Sequence, residues 1–140
     1  MNPVVIDTNC LLQIISRRSP YRPIWDAFLD GRLELCVSNE ILDEYQEILG
    51  QQITPTVAEN IVLLILNMAN TRLVDPHFRM GIITEDPDDN KFVDCAFAAG
   101  ADYLVSEDNH FKILRSTPFP QLNLVTLDEF MQTRIINNHE

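Results

Sequence analysis

The chain has 140 residues, 46% of them hydrophobic and 22% charged, the balance of a globular protein with enough apolar material for a core without staples. Against 21 acidic residues stand only 10 basic ones, a formal net charge of −11; taken alone, this argues against a nucleic-acid binder, whose affinity leans on basic groups. No apolar run approaches the ~18 residues of a membrane span and no leader pattern opens the chain, so the expectation is one cytoplasmic domain over 1–136 with a frayed tail at 137–140.

In chain order, residues 3–6 read as a short buried strand. Residues 9–17 and 22–30 read as helices, with Pro23 tolerated in a first turn and Gly31 as a C-cap. Leu33 to Val37 (LELCV) is a second strand. The helix after it, SNEILDEYQEIL, repeats Ile41, Tyr45, Ile48 and Leu49 at helical spacing and is expected to close at Gly50. A capping box from Thr56 to Glu59 predicts a helix over 56–69. RLVD (72–75) and a short GIIT (81–84) lead into the turn EDPDDNKF. A helix then covers about 89–100 and ends at Gly100. ADYLVS (101–106) is a strand, EDNHFKIL a short helix, and NLVT (123–126) a last strand. A second capping box, Thr126 to Glu129, starts a final helix. Cys10, Cys36 and Cys95 are odd in number, unclustered and set among apolar residues, which reads as buried free thiols in a reducing compartment.

Short apolar strands alternating with helices predict a three-layer α/β/α fold with a mostly parallel central sheet of four to five strands. In such sheets ligands bind outside the carboxyl ends of the strands. Acids sit at those places. Asp7 follows the first strand directly, where an acid needs a partner. Glu44 lies beside the inward face of its helix, Asp89 starts the helix before ADYLVS, and Asp108 lies just past that strand. Each has a plainer reading: Asp89 as turn and N-cap chemistry with Asp86 and Asp88, Asp108 as a first-turn acid, Glu44 as one more solvated charge. Together they pose a charge problem. Carboxylates about 4 Å apart repel by roughly 4 kcal/mol at an effective dielectric of 20. No Lys or Arg lies beside Asp7 or Glu44 in the chain, although Lys91, Lys112 and Arg115 follow the other two acids. A hard divalent cation, Mg²⁺ or Mn²⁺, is the natural neutraliser of oxygen ligands. His77, His110 and His139 lack metal-ligand spacing and are expected not to be ligands.

Three segments, VVIDTN, SNEILDEYQEIL and DPDDNKFVDCAFAAGADYLVSEDNHF, resemble in this order the PIN-domain family, in particular its branch with a DPDDN-like turn. These are small Mg²⁺/Mn²⁺-dependent ribonucleases that include VapC-type toxins of toxin–antitoxin pairs. The resemblance implies that Asp7, Glu44, Asp89 and Asp108 form an acidic quartet, with Thr8, Asn9 and Ser106 in support. Asp89 is preferred to Asp88 or Asp94 because it stands eleven residues before Gly100. Asp7, Asp89 and Asp108 would hold Mg²⁺ (or Mn²⁺), Glu44 directly or through water, for hydrolysis of an RNA phosphodiester. A departure is His110, where the family often has a further acid. The resemblance also implies an antitoxin protein as partner.

Setting four carboxylates aside leaves −7, so few RNA phosphate contacts are expected, with Arg17, Arg18 and Arg22 as a candidate basic patch. A phosphoaspartyl enzyme would want an acid two residues after Asp7, where Asn9 stands, or an acidic pair before it. The non-enzymatic alternative is a catalytically silent PIN-like scaffold that binds RNA or protein. Finally, helix 56–69 carries Ile61, Val62, Leu63, Leu64, Ile65, Leu66 and Met68, apolar around more than one face, which suggests a homodimer or an antitoxin helix against it.

Overall fold

A computed structural model describes residues 1–84, 86–118 and 121–137. Its sheet has five strands: β1 (Asn2–Ile6), β2 (Leu33–Val37), β3 (Thr71–Leu73), β4 (Tyr103–Val105) and β5 (Leu124–Val125). Their order is β3-β2-β1-β4-β5 and every pairing is parallel. The helices are α1 (Thr8–Ile14), α2 (Arg22–Leu29), α3 (Asn39–Gln52), α4 (Pro55–Asn67), α5 (Asn90–Ala99) and α6 (Leu127–Met131), with 3-10 segments at Pro87–Asp89 and Asn109–Ser116. Successive strand residues point to opposite faces, yet Val4, Val5 and Ile6 are each at most 2% exposed. Both faces of the centre are therefore covered by helices, as the α/β/α expectation requires.

The chain direction reverses across the sheet between β1 and β4: β2 and β3 extend to one side, β4 and β5 to the other. That is the switch point where open α/β sheets form a crevice at their carboxyl edge. Val4, Val5 and Ile6 pair with Tyr103, Leu104 and Val105, so the residues just past both strands, Asp7 and Ser106 onward, leave at that edge. Helix α5 packs on β1, β2 and β4 and touches α3, bringing its first turn to the same place. The cysteines are buried and unpaired.

Several local expectations give way to tertiary structure. Helix α4 starts earlier than a Thr56–Glu59 capping box implies. Thr54 is the N-cap, its hydroxyl accepting from Val57 N at 3.1 Å, and Pro55 takes the first helical position, where its missing N–H costs nothing. Gly50 does not close α3, which runs on to Gln52. A Cβ at Gly50 would lie 3.8 Å from the Pro55 backbone and 3.9 Å from Ala58 Cβ, ordinary contact distances, so the helix passes through this position without needing a glycine. Residues 81–84 form no strand: the Asn90 side chain accepts from Ile83 N and donates to Ile83 O, both at 2.9 Å, taking the backbone bonds a neighbouring strand would supply. The first helix stops at Ile14 rather than 17. EDNHFKIL winds as a 3-10 segment that Asp108 caps. The 137–140 tail lies, apart from Asn137, outside the described residues.

Candidate active site

Burial without a partner would be costly for a carboxylate, and the fold gives Asp7 two donors. Asp7 is 5% exposed and is the N-cap of α1: its Oδ1 accepts from Cys10 N at 2.8 Å. Its Oδ2 accepts from the buried Ser106 hydroxyl, and Ser106 Oγ in turn accepts from Asp108 N at 3.0 Å. The end of β1 is pinned from the opposite element, because the buried Tyr45 hydroxyl of α3 donates to Ile6 O.

Around Asp7 lies a cavity of about 210 Å³ lined by Asp7, Thr8, Asn9, Glu44, Asp86, Asp88, Asp89 and Asp108, with Ile48 and Phe92. Six of these are acids and none is basic. The carboxylate of Glu44 is engaged at both oxygens: Oε2 accepts from the Thr8 hydroxyl, and Oε1 sits 2.9 Å from Lys91 Nζ. Lys91 also reaches Asp88 Oδ1 at 3.1 Å. On the other flank, His110 Nδ1 lies 3.3 Å from Asp89 Oδ2 and 3.5 Å from Asp108 Oδ1. The side chain that caps the 3-10 turn is Asp86, which accepts from Asp88 N at 3.3 Å. Asp89 makes no cap bond, so its carboxylate is left for other use. Asp86, Asp89 and His110 each offer a ligand atom within 4.8 Å of the others.

The charge cost is visible in proton affinity. Burial pushes the Asp7 carboxyl up, against the lowering pull of Ser106 and Cys10, and the nearby Asp108 charge adds to the rise. Burial also raises Asp89 to about 6; His110 opposes this while Asp86 and Asp108 reinforce it. Burial alone would lower Lys91, but its bonds to Glu44 and Asp88 outweigh it and its pKa is raised. The Cys10 thiol beside Asp7 is driven up by burial and by the Asp7 charge, which rules out a thiolate nucleophile at neutral pH.

All four acids of the expected quartet, Asp7, Glu44, Asp89 and Asp108, thus line one cavity, with Thr8 and Ser106 bonded to two of them and Asn9 exposed at its mouth. Sequence reasoning missed four members, Asp86, Asp88, Lys91 and His110. Chain proximity hid Lys91, 47 positions from Glu44, so Glu44 does have a basic partner. Asp86 and Asp88 read as turn chemistry, and His110 was set aside for want of metal-ligand spacing, whereas its partner Asp89 comes from another element. Of the Arg17–Arg18–Arg22 patch, Arg22 is committed to Asp26 Oδ1 at 2.9 Å and Ile15 O at 2.8 Å, leaving Arg17 and Arg18 exposed.

The PIN domain family model matches residues 3–110, which include every one of these side chains. The chain belongs to the PIN domain family. Among solved structures this PIN domain is similar to a chain of VapBC2 from Rickettsia felis, bound to a DNA fragment from their promoter. The TM-score is 0.61 at 16% identity, covering 89% of this chain and 98% of that one. DNA-bound VapBC from Salmonella typhimurium gives a TM-score of 0.56 at 17% identity, over 91% and 99% of the two chains. No curated protein matches the PIN domain in sequence. At these identities the structural likeness concerns the fold. Among the described residues no helix is long and apolar enough to cross a membrane.

Proposed function

We propose that this PIN domain is an Mg²⁺- or Mn²⁺-dependent endoribonuclease. The observation that carries the reading is the convergence of Asp7, Glu44, Asp86, Asp88, Asp89 and Asp108 on one cavity at the switch point of the sheet. The donor set fits a hard divalent ion: carboxylate oxygens, with one imidazole that Mn²⁺ also accepts. Asp7, Asp89 and Asp108 would hold the ion, while Glu44, with both oxygens engaged, acts through water. When bound, such an ion neutralises the crowded acids and activates water and phosphate by Lewis acidity. The chain's own part is positional. Ser106 holds Asp7 and the Asp108 backbone together, Thr8 holds Glu44, and His110 spans Asp89 and Asp108.

The reading extends to a toxin of a toxin–antitoxin pair with an antitoxin partner, which the fold likeness to VapBC chains supports. The test is cleavage of a mixed RNA pool with Mg²⁺ or Mn²⁺, against EDTA. Asp7→Asn keeps the cap acceptor for Cys10 N but weakens the ion's ligand set, so metal-dependent cleavage is expected to vanish while the far-ultraviolet dichroism is retained. A variant that cuts as well as the parent refutes the site.

A further inference from the structure

The six cavity acids are not equivalent. Two of them, Glu44 and Asp88, are already bridged by a cation of the chain itself, Lys91 Nζ at 2.9 and 3.1 Å. The Lys91 side chain is only 11% exposed. It is not among the residues lining the acidic cavity; it lines an adjoining hollow with Pro87, Asn90 and Asp94, so it reaches Glu44 and Asp88 from behind. The remaining oxygen of Glu44 accepts from Thr8. A direct metal bond from Glu44 would have to share an oxygen with one of these donors, and on the Oε1 side it would bring a divalent charge up against the Lys91 ammonium. The opposite flank differs: there Asp86, Asp89 and His110 offer converging atoms within 4.8 Å, while the ion pairs of Lys91 go to Glu44 and Asp88.

Resting on the metal-dependent reading above, we propose that Lys91 takes the place of a second metal ion. The site then takes one divalent cation, held by Asp7, Asp89 and Asp108 on the flank that Asp86 and His110 adjoin, and Lys91 is a positioning residue that keeps Glu44 off that ion. Two carboxylates bridged by an ammonium have the charge compensation a second cation would otherwise supply. Lys91→Met withdraws it and leaves Glu44 and Asp88 as a free pair of oxygen donors, which a divalent ion then fills.

The test counts bound Mn²⁺ by electron paramagnetic resonance of the free ion during titration with MnCl₂. The parent is expected to bind one Mn²⁺ per chain, Lys91→Met two, and Lys91→Arg one, since a guanidinium restores the bridge. The double variant Lys91→Met/Glu44→Gln returns to one, an interaction between sites that a loss of packing would not produce. Asp89→Asn weakens the parent's single ion at least tenfold, the low end of the losses seen even for outer-shell changes. A parent that binds two ions overturns the proposal without any variant, and so does a folded Lys91→Met that still binds one. RNA cleavage is read separately. Cleavage with two bound ions sustains the ribonuclease reading and sinks this one; one ion without cleavage does the reverse, and no ion at all overturns both.

Discussion

Asp89 illustrates how a single side chain can oppose the fold that holds it. Its carboxyl is raised from 3.8 to about 6, first by burial, so the folded protein holds that proton more tightly than the unfolded chain does. The resulting contribution to stability is fully present below about pH 4 and is lost as pH rises through about 6. At pH 7.5 the ionised group is a net penalty on the metal-free protein. Asp89→Asn removes it, and thermal unfolding in EDTA should find the variant more stable at pH 7.5, by on the order of 1 kcal/mol once partial exposure is discounted. The difference should vanish near pH 4, and a variant less stable than the parent at pH 7.5 would contradict the assignment. The same sign governs the ion: protons compete for Asp89, so metal affinity weakens as pH falls through about 6.

At the scale of elements, what was legible depended on whether a signal was local. Strand and helix positions follow from apolar periodicity, and five strands and six helices stand close to where the pattern puts them. Asp7, at the end of a strand, was legible as an acid in need of partners. Boundaries were less so, because caps are chosen by geometry among neighbouring candidates. Thr54 and Thr56 both precede an apolar run, but only Thr54 has Pro55 after it, and its hydroxyl makes the cap bond. Thr54→Ala should cost about 1 kcal/mol, whereas Thr56→Ala, at an exposed position inside the helix, should stabilise by a few tenths, alanine being the better helix former. Denaturant unfolding of the two variants separates them; the reverse order would restore the Thr56 cap. Lys91 and His110 were illegible for a different reason: their partners Glu44 and Asp89 lie on other elements, 47 and 21 positions away.

For the whole molecule, the question is what the surface offers to others. Six acids around one cavity account for part of the −11 charge, so long-range steering would repel a polyanion; on the proposed reading, affinity for RNA would have to come from a bound ion and a few local contacts. The apolar surplus predicted for α4 is present: Leu63, Leu64 and Leu66 are 49%, 37% and 48% exposed. Three such residues on one helix suit a protein partner better than water. If a second copy or an antitoxin covers them, Leu63→Glu/Leu66→Glu should abolish that association in sedimentation velocity and leave the fold intact. A parent that already sediments as a monomer, alone and beside a candidate antitoxin, would remove the interface.

The placement of β1 between β2 and β4 has a consequence in time. The ribosome delivers Asp7 and β2 well before β4, yet the hydroxyl that holds Asp7 belongs to Ser106 and the facing acid is Asp108. Synthesis proceeds from the N-terminus and domains fold as they emerge, so the nascent chain carries half a site until Ser106, 99 positions after Asp7, and then Asp108 have been made. A truncated product that stops before β4 has the opening acid, its helix cap and much of the core, but no means of assembling the cavity. Any hydrolytic power of this fold is thereby withheld from incomplete chains.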